Sequence, residues 1–430
     1  MAMWYLLFIF VALFFSFALH SVATQGGNSS VLELFSSYVY KIVVIIFKLQ
    51  FLLSGEIVQK RARSGAKGGE RKSIIVSVCT NGLGHAAQCI RVLEVLKKEA
   101  IVVEAIVIAK RSKLPEYMND YFSSYGAEVL DLDIEVDYDS GITINNVKVM
   151  VNFVTTLLFH GVSGNRKMCK TINTFQPHVL LNFWEPFAAT FINANNECNT
   201  KIITLASQGT LFLNKRKSAP SMFFLYVLHH GTVGGKGRMI PFSQFPNSNT
   251  IPQIVHLPDE RAPLYRLDGD KPYVVAYSCM PKCLVPSIMA IDHLRVVLFA
   301  KDVCYWEDFY ATKRNVTIVP RSEQFVVALR GSTGLLATPS RGVITQAIAL
   351  AKPIYLVSCR GHLEQEFNLH QYLSAYKGIS TEQFQSARDW ASNIVDYKVD
   401  LKPQSEKLQL WLQKTDEKIL EKLLPHLSSS

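Results

Sequence analysis

The chain has 430 residues, 49% of them hydrophobic and 19% charged. That balance excludes a disordered protein, and the length exceeds one ordinary α/β core, so two folded domains are expected. A formal net charge of +10 suits an anionic membrane surface or a phosphate-bearing substrate. Nucleic acid is set aside, because zinc-finger spacing, an aromatic RNA-binding signature and a long basic helix are all missing.

The N-terminus opens with residues 1–19, an uncharged apolar run that reads as a signal peptide or a membrane helix. A second apolar stretch at 38–54 carries Lys41 and Lys48, so it either spans or lies in the interface with its lysines snorkelling. Lys60, Arg61, Arg63, Lys67, Arg71 and Lys72 follow. Positive charge beside a membrane segment predicts a cytoplasmic body, in the endomembrane system if the source is eukaryotic. Asn28-Ser29-Ser30 and Asn315-Val316-Thr317 are glycosylation sequons that would report the topology.

Ser73–Cys79 reads as a buried parallel strand, apolar without alternation. Asn81-Gly82-Leu83-Gly84-His85 then turns into a helix, the opening of a doubly wound domain. The dinucleotide fingerprint is incomplete, since a third glycine and a suitably placed acidic residue are missing, which disfavours a nicotinamide enzyme. Strands follow at Ile101–Ala109, Val179–Phe183 and Lys201–Ala206, with Trp184-Glu185-Pro186 opening a helix. The 211–240 stretch, basic and aromatic, suits either lipid headgroups or a solvated loop. The 8 cysteines are scattered. Cys279 and Cys283 lie four apart without a second close pair, so no metal site is expected, and Cys79, Cys89 and Cys359 read as reduced core thiols.

Residues 235–271 have a linker composition. A second α/β run then places strands at Tyr273–Ser278, Arg295–Lys301, Val316–Val319, Gly334–Ala337 and Pro353–Val357. From Thr338 to Asn368 a strand end, a turn with Ser340, Arg341 and Gly342, a helix, a strand and a second helix follow in order. Two helix N-termini then face the carboxyl end of one sheet, where backbone N–H groups at Gly342 and Val343, helped by Arg341, can hold a diphosphate.

These motifs resemble those of the GT-B glycosyltransferases, in particular the bacterial lipid-II-forming N-acetylglucosaminyltransferase and its bacterial and archaeal relatives. The likeness covers roughly residues 73–375 and rests on Gly82-Leu83-Gly84-His85, Ala351-Lys352-Pro353 and Glu364-Gln365 with Asn368. It implies two Rossmann-like domains facing across a cleft. The expected division is a membrane anchor and basic segment at 1–72, an acceptor domain at 73–240, a linker at 241–271, a nucleotide-sugar domain at 272–403 and a C-terminal helix at 404–430. It also implies transfer of a hexose or N-acetylhexosamine from a nucleoside-diphosphate sugar, with UDP-sugar as the expected co-substrate, to a hydroxyl on a membrane lipid or lipid-linked acceptor, without metal or other cofactor. In that scheme Ser340, Arg341, Gly342 and Val343 meet the phosphates and Gln346 the ribose. Glu364 and Gln365 meet the sugar, and Arg321 lies near the base. His85 is the candidate general base, Glu185 the second candidate or only a helix cap, and Asn81, Gly82 and Gly84 form the acceptor-side loop. Gln346 stands where the family often has an acidic residue. A sugar-nucleotide epimerase and a non-catalytic nucleotide-binding or scaffold protein remain as alternatives.

Overall fold

The computed structural model describes residues 29–58, 73–80, 83–110, 114–130, 138–139, 143–144, 146–195, 199–210, 229–233, 237–258, 271–322, 324–359, 362–394 and 401–427. Asn81, Gly82, the apolar run at 1–19 and the basic run at 60–72 lie outside the described residues.

The first lobe is built on strands β1 (Ile74–Val78), β2 (Ala105–Ile108), β3 (Glu128–Val129), β6 (Val179–Phe183), β7 (Lys201–Ala206), β8 (Gly237–Ser243) and β9 (Ile251–Pro252), after a separate hairpin of β4 (Tyr138–Asp139) and β5 (Thr143–Ile144). They lie parallel in the order β3-β2-β1-β6-β7-β8-β9. The second lobe holds β10 (Tyr273–Tyr277), β11 (Arg295–Ala300), β12 (Val316–Pro320), β13 (Gly334–Ala337), β14 (Ile354–Leu356) and β15 (Ile379–Thr381), parallel in the order β12-β11-β10-β13-β14-β15. In both sheets the chain winds outward from the middle in two directions. The order therefore reverses between β1 and β6, and again between β10 and β13. Those reversals leave a crevice at the carboxyl ends of the strands, the place where doubly wound folds bind ligands.

The apolar stretch at 38–54 sits in the helix α1 (Ser29–Ser54), which is part of the first lobe. Val39, Val43 and Phe47 are buried in the same core cluster as Ile75, Leu180 and Phe187. Phe47 meets Phe187 at 4.7 Å between ring centroids, and Phe51 meets Phe191 at 5.7 Å. Burying each such ring contributes about 2 kcal/mol, which a sheet core supplies as well as lipid does. Gly161, in the long helix α4 (Asn146–Phe175), lets that helix approach α1, since a Cβ there would collide with the Gln50 side chain. Among the described residues no helix is long and apolar enough to cross a membrane.

Three boundaries expected from sequence shift. The first lobe runs past residue 240, because β8 and β9 add to its sheet inside the stretch read as linker. The strand expected from Ile101 begins at Ala105, since Ile101 N donates to Leu96 O and still closes the preceding helix. The single C-terminal helix is two, α12 (Lys402–Leu412) and α13 (Thr415–Leu427). The first packs on the second lobe, where Ser405 Oγ and Gln409 Nε2 both donate to Ala349 O at 2.6 Å. The second returns to the first lobe, burying Ile419, Leu423 and Leu427 in its core, with Arg91 paired to Asp416 at 2.7 Å. Trp411 Nε1 donates to Ser243 O at 2.9 Å and joins the two lobes. The sequon residue Asn315 has its Nδ2 engaged by Ile291 O and Leu294 O, both at 2.8 Å, so a glycan there would break a loop anchor.

Candidate functional site

His85 lies in the first turn of α2 (Leu83–Lys98), seven residues beyond the end of β1. It is 8% exposed, and its Nδ1 has no hydrogen-bond partner. Burial lowers its pKa to about 4, opposed by the charge of Glu364. The ring is therefore neutral near pH 7, the form that accepts a proton. Gly84 beside it has open space where a Cβ would point.

Glu185 lies two residues beyond β6 and caps α5 (Pro186–Ala194). Its Oε1 accepts from Phe187 N at 3.0 Å and its Oε2 from Ala188 N at 2.6 Å. Both oxygens are thus committed to the helix end. Burial raises its pKa to about 7, with the two backbone N–H bonds acting the other way. Trp184 just before it holds φ +57°, an uncommon conformation for a bulky side chain, at the crevice itself.

In the second lobe, α9 (Arg341–Ala349) begins two residues after Pro339. Ser340 makes no side-chain cap bond, and Gly342 faces open space. The guanidinium of Arg341 is the chemical outlier of the site: the residue is 4% exposed, yet Nε, Nη1 and Nη2 all lack a hydrogen-bond partner. Burial lowers its pKa, while Tyr372 and Glu364 oppose the shift. An unpaired buried cation is costly, and beside an uncapped helix N-terminus it forms a ready anion seat. Val343 packs its side chain into the core, so only its backbone can face a ligand.

The helix α10 (Leu363–Ala375) brings Glu364 and Gln365 to the same crevice. Gln365 is 3% exposed with Oε1 unpartnered, and Asn368 ties the approach to α9 by donating to Pro339 O at 3.0 Å. Glu364 Oε2 accepts from Gln208 Nε2 at 3.1 Å, and the same Nε2 lies 3.5 Å from His85 Nε2. Gln208, in the first lobe just beyond β7, therefore stands between the candidate base and the donor-side carboxylate. Sequence reasoning missed it. The available signal was a polar Ser207-Gln208-Gly209-Thr210 run at the carboxyl end of a buried strand.

Two residues expected at the donor lie elsewhere in the hydrogen-bond scheme. Arg321 packs on the Tyr277 ring at 5.4 Å and donates through Nη2 to Ser278 O, so it clamps the end of β10. Gln346 donates to His256 O at 2.8 Å and holds the connection between the lobes. Among the described residues no three His, Cys, Asp or Glu side chains gather as a metal group.

No protein-family model matches the chain, and no curated protein matches it in sequence. Solved structures do match. The glycotransferase of kitacinnamycin aligns at 12% identity over 84% of this chain and 100% of its own, with a TM-score of 0.55. Arabidopsis thaliana UGT89C1 complexed with UDP aligns at 10% identity over 83% of this chain and 100% of its own, with a TM-score of 0.56. The glycosyltransferase VinC in complex with DTDP aligns at 12% identity over 83% and 99%, with a TM-score of 0.52. Likeness at such identities establishes the fold, two facing α/β lobes of GT-B type, and leaves the chemistry to the residues.

Proposed function

We propose, from the premise of a GT-B fold, that this chain is a glycosyltransferase that moves a hexose or N-acetylhexosamine from a UDP-sugar to an acceptor hydroxyl. The observation that carries the reading is the buried, unpartnered Arg341 guanidinium at the open start of α9, which feels the charge of Glu364, itself part of the His85–Gln208–Glu364 contact. The diphosphate takes Arg341 and the N–H groups of Gly342 and Val343. Glu364 and Gln365 exchange their present surroundings for sugar hydroxyls. His85, neutral, accepts the acceptor's hydroxyl proton as the oxygen attacks the anomeric carbon and the bond to the diphosphate breaks. The leaving charge is stabilised where it develops, by Arg341 and the helix end.

The acceptor is a lipid at a membrane surface. The support is one face of α1, where Tyr38, Ile45, Leu49 and Leu52 are 53%, 55%, 40% and 74% exposed, with Lys41 and Lys48 exposed beside them. Such a face suits an anionic interface.

A thermal-shift panel of nucleotide sugars on the full chain tests the donor: a rise in Tm with one UDP-sugar is expected, and no rise with any diphosphate sugar overturns the reading. Flotation with anionic vesicles tests the membrane half. Ile45→Glu with Leu52→Glu is expected to abolish binding without lowering donor protection, and undiminished flotation removes the lipid surface from the proposal.

A further inference from the structure

Away from the donor and acceptor residues, two cysteines meet at the carboxyl edge of the second sheet. Cys283 lies in the turn Pro281–Leu284 that follows β10, and Cys359 lies just beyond β14. Because β13 runs between those two strands, the sulfurs meet beside the strand end that leads to Ser340 and Arg341. They are 2.6 Å apart, about half an ångström beyond a covalent S–S bond of ~2.05 Å. Both residues are buried, at 7% and 1% exposure, in a cluster with Met280. Residues separated by 76 positions in sequence are thereby already in place for a crosslink.

The pair is chemically unequal. Cys359 donates its hydrogen to Cys283, which lowers the Cys283 pKa and raises that of Cys359. Cys283 is therefore the nucleophilic partner and Cys359 the resolving one. Cys359 O accepts from His362 N at 3.2 Å, and His362 is the residue from which α10 starts, so Cys359 is tied by a backbone hydrogen bond to the helix that carries Glu364.

We propose that Cys283 and Cys359 form a reversible redox crosslink that fixes the segment presenting Glu364 and Gln365. A small hydroperoxide serves as oxidant. The Cys283 thiolate attacks its terminal oxygen, the O–O bond breaks, and Cys283 becomes a sulfenic acid as an alcohol or water leaves. The Cys359 sulfur then displaces the hydroxyl, forming S–S and water. The two sulfurs lose two electrons in all, and the peroxide gains them. A thiol reductant reverses the step by exchange. In the crosslinked form Glu364 is held in its bond to Gln208, which excludes the donor sugar; this last consequence rests on the function proposed above.

The experiment treats the full chain with hydrogen peroxide, then alkylates remaining thiols and maps the linked peptides. Loss of two alkylatable thiols joined as Cys283–Cys359 is expected, with Tm raised by roughly 5–10 °C and slower amide exchange across 362–368. Dithiothreitol restores all three readouts. Cys359→Ser abolishes the crosslink and the Tm rise, whereas Cys304→Ser, at an exposed thiol, leaves both. Peroxide that spares the pair, or a crosslink that changes neither Tm nor exchange, overturns the proposal. UDP-sugar protection is measured on both forms. Weaker protection of the oxidised form is expected and equal protection refutes the gating, while absence of protection in both, with the crosslink formed, counts against the glycosyltransferase reading alone.

Discussion

Two helices start at equivalent places in the two lobes, each just after the strand at which the sheet order reverses. In the first lobe α5 follows β6, and its free N–H groups are met by the lobe's own carboxylate, with both oxygens of Glu185 engaged. In the second lobe α9 follows β13, and its start has no side-chain cap, open space at Gly342 and a buried guanidinium without a partner. One helix end is satisfied from within and the other has no side-chain cap. Since a buried polar group left unpaired costs on the order of 1–3 kcal/mol, and a charged one more, the asymmetry supports the proposal that the second lobe receives the phosphates. The first lobe contributes instead a neutral imidazole, kept uncharged by burial.

The sharpest way to break this contrast is His85→Ala. Transfer is expected to fall by roughly 10²–10⁴-fold, while protection by a UDP-sugar in a thermal shift is retained; an unchanged rate removes the assigned base. In the wild type, the depressed His85 pKa gives stability that is present above about pH 6.5 and is lost as pH falls toward about 4. His85→Gln is therefore expected to flatten that acid limb of Tm against pH.

Arg341→Met tests the open helix end. Donor affinity is expected to drop by roughly 10–100-fold, the worth of charge-assisted hydrogen bonds. Because the guanidinium has no partner to lose, the donor-free variant should melt no lower than the wild type, and a clear fall in Tm would show that Arg341 serves packing instead.

Glu185→Gln probes the satisfied end. Loss of a good cap costs about 1 kcal/mol, and transfer should stay within about threefold of the wild type. The raised Glu185 pKa gives a contribution that is present below pH 4.5 and lost as pH rises through about 7. The wild type should consequently lose Tm relative to the variant between pH 5 and 8. A parallel pair of pH curves would mean that the backbone N–H bonds dominate burial.

The smallest effect is expected from Gln346→Ala. Its amide is engaged by His256 O, so donor affinity should change by less than about threefold. A tenfold loss, read by titration of the donor, would return this side chain to the ribose.

The elements that sequence reading located are those whose signals are local. Val179–Phe183 and Lys201–Ala206 were expected as strands and are strands to the residue, because fully buried parallel strands are written as short apolar runs. The turn at Ser340, Arg341 and Gly342 that opens α9 was legible for the same reason, lying between an apolar run and a helical one, although the helix already begins at Arg341. β8 was not, since Gly237–Ser243 mixes glycine, proline and charge and becomes a strand only by pairing with β7.

What sequence by itself determined is thus the alternation of strand and helix, the glycine turns, and the placement of His85 and Arg341 in the turns that open helices, all properties of a few consecutive residues; the structure moves both residues into the first helical turn. Tertiary structure alone decided that α1 packs in a protein core, that Gln208 stands between His85 and Glu364, and that Cys283 meets Cys359. Apolar length and residue type are the same for every such partner. Only the folded path of the chain selects which side chains, 76 to 156 positions apart, come within reach of one another.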